Sequence, residues 1–276
     1  RIALALAGGG PLGAIYEIGA LCALDESLDG LHLSRLDHYV GVSAGGFIAA
    51  ALANGMTPRE LCASFIDNGS KASDVFDPAW LMAPAYGEFA RRAIAMPGLA
   101  ASALRRFMLG GQSLTRALER LGPGLPTGIF SNERVDRELE RLFSREGRTN
   151  DFRRLRTQLT LVATNLDSGE AAPFGRPGWD HVPISRAIQA SDALPGLFPP
   201  VEIEGHYYVD GALKKTLNAS LALEDGAQLV IGVSLGVRFQ REFLRTAPRW
   251  LGAVAAGTLG EEAFAEWLRQ HTQLRR

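Results

Sequence analysis

Lysine is nearly missing from this 276-residue chain: Lys71, Lys214 and Lys215 are all there are, so 26 of its 29 basic residues are arginine, set against 30 acidic ones. The formal net charge of −1 removes the basic excess that a general nucleic-acid role would need. Cysteine is scarce too. Cys22 and Cys62 fall in apolar helical stretches and read as buried free thiols rather than a disulfide pair. No His/Cys/Asp cluster has metal-ligand spacing, so neither a metal nor a cofactor is expected. No run approaches the ~18 apolar residues of a membrane span. Repeats and low-complexity tracts are absent as well, and Gly122 to Gly128 reads as an ordinary loop. The chain opens at Arg1 rather than Met, so a removed signal would leave no trace here.

What is present is enough apolar residue, 46%, to bury a substantial core in one α/β domain. Strands are predicted near 2–7, 38–42, 158–164 and 228–234, and helices over 14–25 and 46–54, with further helices between the later strands. Strands separated by helices imply a largely parallel sheet covered on both faces.

The most informative stretch is Gly41-Val42-Ser43-Ala44-Gly45, which follows the apolar Tyr39-Val40 and precedes Gly46 to Ala53. A strand turning sharply into a helix with a serine at the corner is the layout of a nucleophile elbow. The Ala44 amide and the positive end of the following helix then face any oxygen that Ser43 attacks.

Upstream, the strand Ile2 to Ala7 runs into Gly8-Gly9-Gly10-Pro11-Leu12-Gly13. Gly9 and Gly10 can turn their N–H groups toward a ligand with no side chain in the way, as an oxyanion site requires, whereas Pro11 cannot donate. Gly8-x-Gly10-x-x-Gly13 is also a dinucleotide fingerprint. That reading wants an acidic residue at the end of the second strand, where this chain has the Ser43 elbow, and Asp25, Glu26 and Asp29 read as a solvated surface. A phosphate loop fails too, because Gly13 is followed by Ala14.

A serine hydroxyl needs a base. His32, His38, His181, His206 and His271 each read as surface or half-buried histidines. The alternative partner is Asp210, in Tyr207-Tyr208-Val209-Asp210-Gly211-Ala212, where an alternating strand breaks at Asp-Gly. Asp-Gly is also a common turn pair.

The order of glycine-rich turn, Gly-x-Ser-x-Gly and Asp-Gly-Ala resembles the patatin-like phospholipase family, over residues 1 to about 235. The run Ala190-Ser191-Asp192-Ala193-Leu194-Pro195, with Phe198-Pro199-Pro200-Val201, adds to the likeness. The resemblance implies a three-layer α/β fold with a mostly parallel central sheet. It implies Ser43 as nucleophile, Asp210 as its partner in a Ser-Asp dyad, and Gly8, Gly9 and Gly10, with Ala44, as an oxyanion hole. It further implies a cofactor-free lipid acyl hydrolase acting on phospholipids, lysophospholipids or other acyl esters. Leu12 stands where that family usually carries Arg or Lys.

The expected organisation is a catalytic domain over 1–240, with a lid or membrane-docking insert over 76–111, and a helical extension over 241–276 that contains Trp250 and Trp267. The insert interleaves Trp80, Phe89 and Phe107 with Arg91, Arg92, Arg105 and Arg106, a mixture suited either to an interface or to two core helices. A cytoplasmic protein with peripheral membrane contact and no nucleic-acid partner is expected. The alternatives are an α/β-hydrolase with a Ser-His-Asp triad based on His206 or His271, and a non-enzymatic nucleotide- or lipid-binding module.

Overall fold

The computed structural model describes residues 1–65, 130–131 and 133–234. The 76–111 insert, the 122–128 loop and the 241–276 extension, with Trp250, Trp267 and His271, lie outside the described residues.

The sheet begins with β1 (Ile2–Leu6), whose alternation divides it between two cores. Leu4 and Leu6 face one apolar cluster, while Ala3 and Ala5 face another. β2 (His38–Val42) is buried along its whole length. Helices therefore cover both faces, which makes three layers. On the larger side lie α1 (Gly10–Ser27), α2 (Ala44–Ala53), α3 (Pro58–Phe65), α4 (Glu133–Phe143) and α5 (Ile184–Ser191). On the smaller side α6 (Ala219–Glu224) packs through Ala222 against Ala3, Val40, Val162 and Val230.

The remaining strands are β3 (Gln158–Asn165), β4 (Ala171–Phe174), β5 (Val201–Ile203), β6 (His206–Asp210) and β7 (Leu229–Val233), giving a seven-stranded sheet among the described residues. β7, β1, β2 and β3 run parallel. β4 and β6 each join β3 antiparallel, and β5 pairs antiparallel with β6. Five strands thus share one direction, and the sheet is mostly parallel.

Register decides where the site forms. Leu161 and Val162 pair with β2 and β4 at once, so those two strands occupy opposite edges of β3. Ala163 and Thr164 pair with β4 and β6 at once, so β6 lies on the same edge as β2. β3 passes that edge from Val42, opposite Val162, to Asp210, opposite Ala163. The end of β2 and the end of β6 therefore meet.

α1 starts at Gly10, earlier than the predicted 14, because Pro11 is tolerated in a first turn where its missing N–H has no partner to lose. α2 likewise starts at Ala44 rather than 46, directly off the corner. Two side-chain expectations need correction. Cys22 and Cys62 form no disulfide, and they are only half-buried. Burial first, and Cys62 second, push the Cys22 thiol up to about 11. His38 is neither exposed nor half-buried: β2 carries it into the sheet, where Nε2 meets Thr160 Oγ1 at 3.0 Å and burial lowers it to about 4.

Candidate active site

Ser43 sits at the corner between β2 and α2 with φ 52° and ψ −131°, a left-handed conformation that side chains rarely adopt. The strain is held by its neighbours. A Cβ at Gly41 would come within 2.5 Å of Gly46 Cα, and one at Gly45 within 2.5 Å of the Ala7 carbonyl oxygen. Only glycine allows β2, α2 and the end of β1 to approach so closely. Above the corner, the Ser43 amide donates to Ser191 Oγ at 2.8 Å, and Ser191 Oγ donates to the Val162 carbonyl at 2.6 Å. This clamp from the end of α5 fixes the elbow to β3.

Asp210 ends β6, and its Oδ1 accepts the Ala212 amide at 2.8 Å, which turns the chain through a 3-10 turn over Gly211–Leu213. The Asp210 amide donates to the Ala193 carbonyl at 3.0 Å. A side chain at 211 would run into the Val162 carbonyl, so the Asp-Gly pair is needed where β6 meets β3. The Asp210 carboxyl lies close enough to the Ser43 side chain for the two to influence each other. Burial raises that carboxyl above the ordinary aspartate value, and the Ala212 amide first, then the neighbouring Ser43 hydroxyl, pull against it.

The glycine-rich turn abuts the same corner. A Cβ on Gly8 would lie 2.9 Å from Ala212 Cβ and 3.2 Å from Ser43 Cβ. The Gly8 amide donates to the Thr216 carbonyl at 3.1 Å, so this glycine supplies room rather than a free N–H. Gly9 and Gly10 open α1, and Ala44 opens α2. Two helices therefore open near this corner, α2 directly at Ser43 and α1 two residues past Gly8, each with a partial positive charge at its N-terminus.

Two residues with no motif to announce them are part of this construction. Glu17, buried in α1, accepts the Ala7 amide through Oε1 at 2.8 Å, while Oε2 has no partner among the described residues. Burial raises its carboxyl to about 9. Asp192 caps the end of α5, directly after the Ser191 hydroxyl that holds the Ser43 amide. The one sequence signal for Asp192 is that it stands alone as a charge between Gln189 and Val201.

The described histidines stand elsewhere. His206 begins β6, about 13 Å of strand from Asp210, and its Nδ1 lies 3.7 Å from Asp167. His181 pairs with Glu204 at 2.8 Å. Among the described residues no three His, Cys, Asp or Glu side chains gather as a metal would require, and no helix is long and apolar enough to cross a membrane. Exposed apolar side chains follow each motif in the chain: Leu12, 73% exposed, and Ile15 lie in α1 after the glycine run, Leu213, 55% exposed, lies just past Asp210, and Leu194 and Leu197 follow α5.

Comparison with known proteins gives partial matches. An uncharacterized protein of Acanthamoeba polyphaga mimivirus is 27% identical over 110 residues, which is 39% of this chain and 36% of that protein. An uncharacterized NTE family protein of Mycobacterium bovis is 37% identical over 76 residues, 28% of this chain and 20% of that protein. The matches thus span little more than a third of these relatives at most. Among solved structures, VipD from Legionella pneumophila is 19% identical with a TM-score of 0.47, over 87% of this chain and 50% of that one. ExoU of Pseudomonas aeruginosa, solved with SpcU, is 17% identical with a TM-score of 0.38, over 99% and 52%. The family model for patatin-like phospholipases matches residues 4–223, well over half the chain and every element from β1 to α6, and the chain therefore belongs to the patatin-like phospholipase family.

Proposed function

We propose that the chain is a lipid acyl hydrolase that cleaves carboxylic esters through Ser43 and Asp210 within a catalytic domain over 1–240. The observation that carries this reading is the meeting of the three motifs at one corner: β2 and β6 end together on one edge of β3, a Cβ on Gly8 would touch both Ser43 and Ala212, and the strained elbow at Ser43 stands beside buried Asp210.

The chemistry follows from that arrangement. Ser43 Oγ attacks the acyl carbonyl carbon as its proton passes to Asp210, whose raised basicity suits it to receive one. The negative charge that appears on the carbonyl oxygen meets the amides of Gly9, Gly10 and Ala44 and the two helix N-termini. As the tetrahedral intermediate collapses, the alcohol departs with the proton from Asp210. Water then attacks the acyl-enzyme, gives its proton to Asp210, and Oγ recovers a hydrogen from the same carboxyl. No cofactor enters the cycle.

The substrate class is supported by family membership and by the exposed Leu12, Ile15, Leu194, Leu197 and Leu213, which offer an acyl chain an apolar approach and suit peripheral contact with a lipid surface. The test is labelling with a fluorophosphonate, followed by mapping of the modified peptide and assay of a folded Asp210→Asn variant on phospholipid vesicles. The expected result is labelling at Ser43 and a fall in hydrolysis of at least a hundredfold. Labelling elsewhere, or retention of most activity by the variant, overturns the reading.

A further inference from the structure

At the far end of the sheet from Ser43, an open cleft of about 1020 Å³ is lined by Arg35, Arg148, Arg154 and Arg156. It forms where four connections meet: the stretch before β2, the link between α2 and α3, the stretch after α4 and the lead into β3. β2 and β3 run parallel with His38 opposite Gln158, so the cleft lies at their starting ends. Ser43 follows the other end of β2, about 17 Å of strand away. The cleft is thus a separate place, and it holds none of the residues in the proposed ester chemistry.

Its arginines are largely unpartnered. Arg35, Arg154 and Arg156 are exposed and make no side-chain hydrogen bond or ion pair among the described residues. Arg148 has one long bond, from Nη1 to the Leu142 carbonyl at 3.5 Å. No aspartate or glutamate lines the cleft among the described residues. The acids close to it in the chain are held by other groups. Arg153 grips both oxygens of Asp151 at 2.9 and 2.8 Å, Asp37 takes the Ile2 amide, and Glu60 takes the Thr57 amide and hydroxyl. Glu146 precedes Gly147 but stands outside the cleft wall. The arginines are not needed to cap α2 either, because the Ala50, Ala51 and Leu52 carbonyls accept from Asn54, Met56 and Gly55.

Four cations on one concave wall repel one another and focus a positive potential on the space between them. An anion of clustered charge relieves that repulsion. Guanidinium groups suit phosphate best, since their planar fork donates two parallel hydrogen bonds to a pair of phosphate oxygens. The volume is that of a small-molecule site and exceeds what one phosphate fills. No aromatic ring lines the cleft among the described residues, so it offers a nucleobase no stacking surface.

We propose that this cleft is a binding site for a ligand carrying two or more phosphate groups on a non-aromatic carrier, either dissolved or presented as a lipid headgroup. It stands independently of the Ser43 and Asp210 reading.

The experiment is isothermal titration calorimetry of the full chain with inorganic pyrophosphate and tripolyphosphate at low salt, on the wild type, R154Q/R156Q and R137Q/R141Q. The last variant removes the same charge from α4, where Arg137 and Arg141 are exposed and outside the cleft. Wild type and R137Q/R141Q are expected to bind at one saturable site, and R154Q/R156Q at least about tenfold more weakly. If R154Q/R156Q does not fold by circular dichroism, Arg35→Gln carries the same comparison. Co-sedimentation with phosphatidylcholine vesicles containing diacylglycerol pyrophosphate separates the two sources. Vesicle binding that R154Q/R156Q loses assigns a lipid headgroup, whereas calorimetric binding without it assigns a dissolved ligand. Equal weakening in both double variants, or no saturable binding in either assay, overturns the inference.

Discussion

Ser191 holds Ser43: one hydroxyl accepts the Ser43 amide at 2.8 Å and donates to the Val162 carbonyl at 2.6 Å, tying a strained corner to the neighbouring strand β3. Deleting that hydroxyl leaves both a buried N–H and a buried C=O without their partner. Ser191→Ala is expected to cost about 1–3 kcal/mol of stability and to slow fluorophosphonate labelling of Ser43. Urea denaturation and labelling kinetics check the two effects, and a variant that changes neither removes the clamp from the account.

Gly45 faces a harder constraint, because a Cβ there would meet the Ala7 carbonyl oxygen at 2.5 Å, and backbone has little room to give. Gly45→Ala is expected to lose about 3 kcal/mol or more, as overpacking against main chain does. Gly30→Ala serves as the contrast, since its φ of +81° is strained for alanine but no atom stands within 4 Å of the added carbon. Thermal melts of the two variants should rank Gly45→Ala as the more damaging.

Glu17 makes stability depend on pH with an unusual sign. Its folded value, about 9, lies above the ordinary glutamate value of 4.5, so the native state binds a proton that the unfolded state has lost. Stability therefore falls as pH rises between those two values, and ~1.4 kcal/mol per unit gives about 3 kcal/mol lost by pH 7. Glu17→Gln keeps an oxygen for the Ala7 amide and cannot ionise. Denaturation curves at pH 5, 6.5 and 8 are expected to decline for the wild type and to lie flat for the variant.

On the proposed mechanism Asp210 acts as a base only when ionised, and burial raises its pKa from the ordinary aspartate value. The acidic limb of kcat/KM is therefore expected above pH ~4. A limb at or below the ordinary aspartate value, measured on a soluble ester, would contradict a buried Asp210 base.

Leu12 is 73% exposed at the opening of α1, so Leu12→Arg should leave stability within about 0.5 kcal/mol. The new charge sits beside the substrate approach. Turnover on vesicles of anionic phospholipid is expected to rise several-fold over zwitterionic vesicles, and the gain should shrink as salt is added.

The elements nearest the nucleophile were the easiest to read from residues. β1 and β2 are continuous apolar runs, and Gly41, Gly45 and Gly46 around Ser43 leave a local signature, since each contact they permit lies within a few residues or against the adjacent strand. β4 and β5 were not legible. They are four and three residues long, and a strand that short has no periodicity to detect. The early start of α1 at Gly10 was missed because Gly10 and Gly13 weaken a helix locally, and packing of Ile18 and Leu21 into the core outweighs them. His38 was misjudged for a related reason, since nothing near it in the chain reveals that Thr160 waits on the neighbouring strand.

Composition and local pattern were enough to specify an α/β sheet and an elbow at Ser43, because apolar periodicity and glycine spacing act over a few residues, whereas Asp210 stood out only through the family likeness. The company those side chains keep came from pairing across the chain. β3 exchanges β2 for β6 along one edge, and that register brings the end of β6, with Asp210, to the Ser43 corner. A carboxyl's charge depends on which groups surround it once water has been excluded, and that surrounding exists only after distant segments have packed.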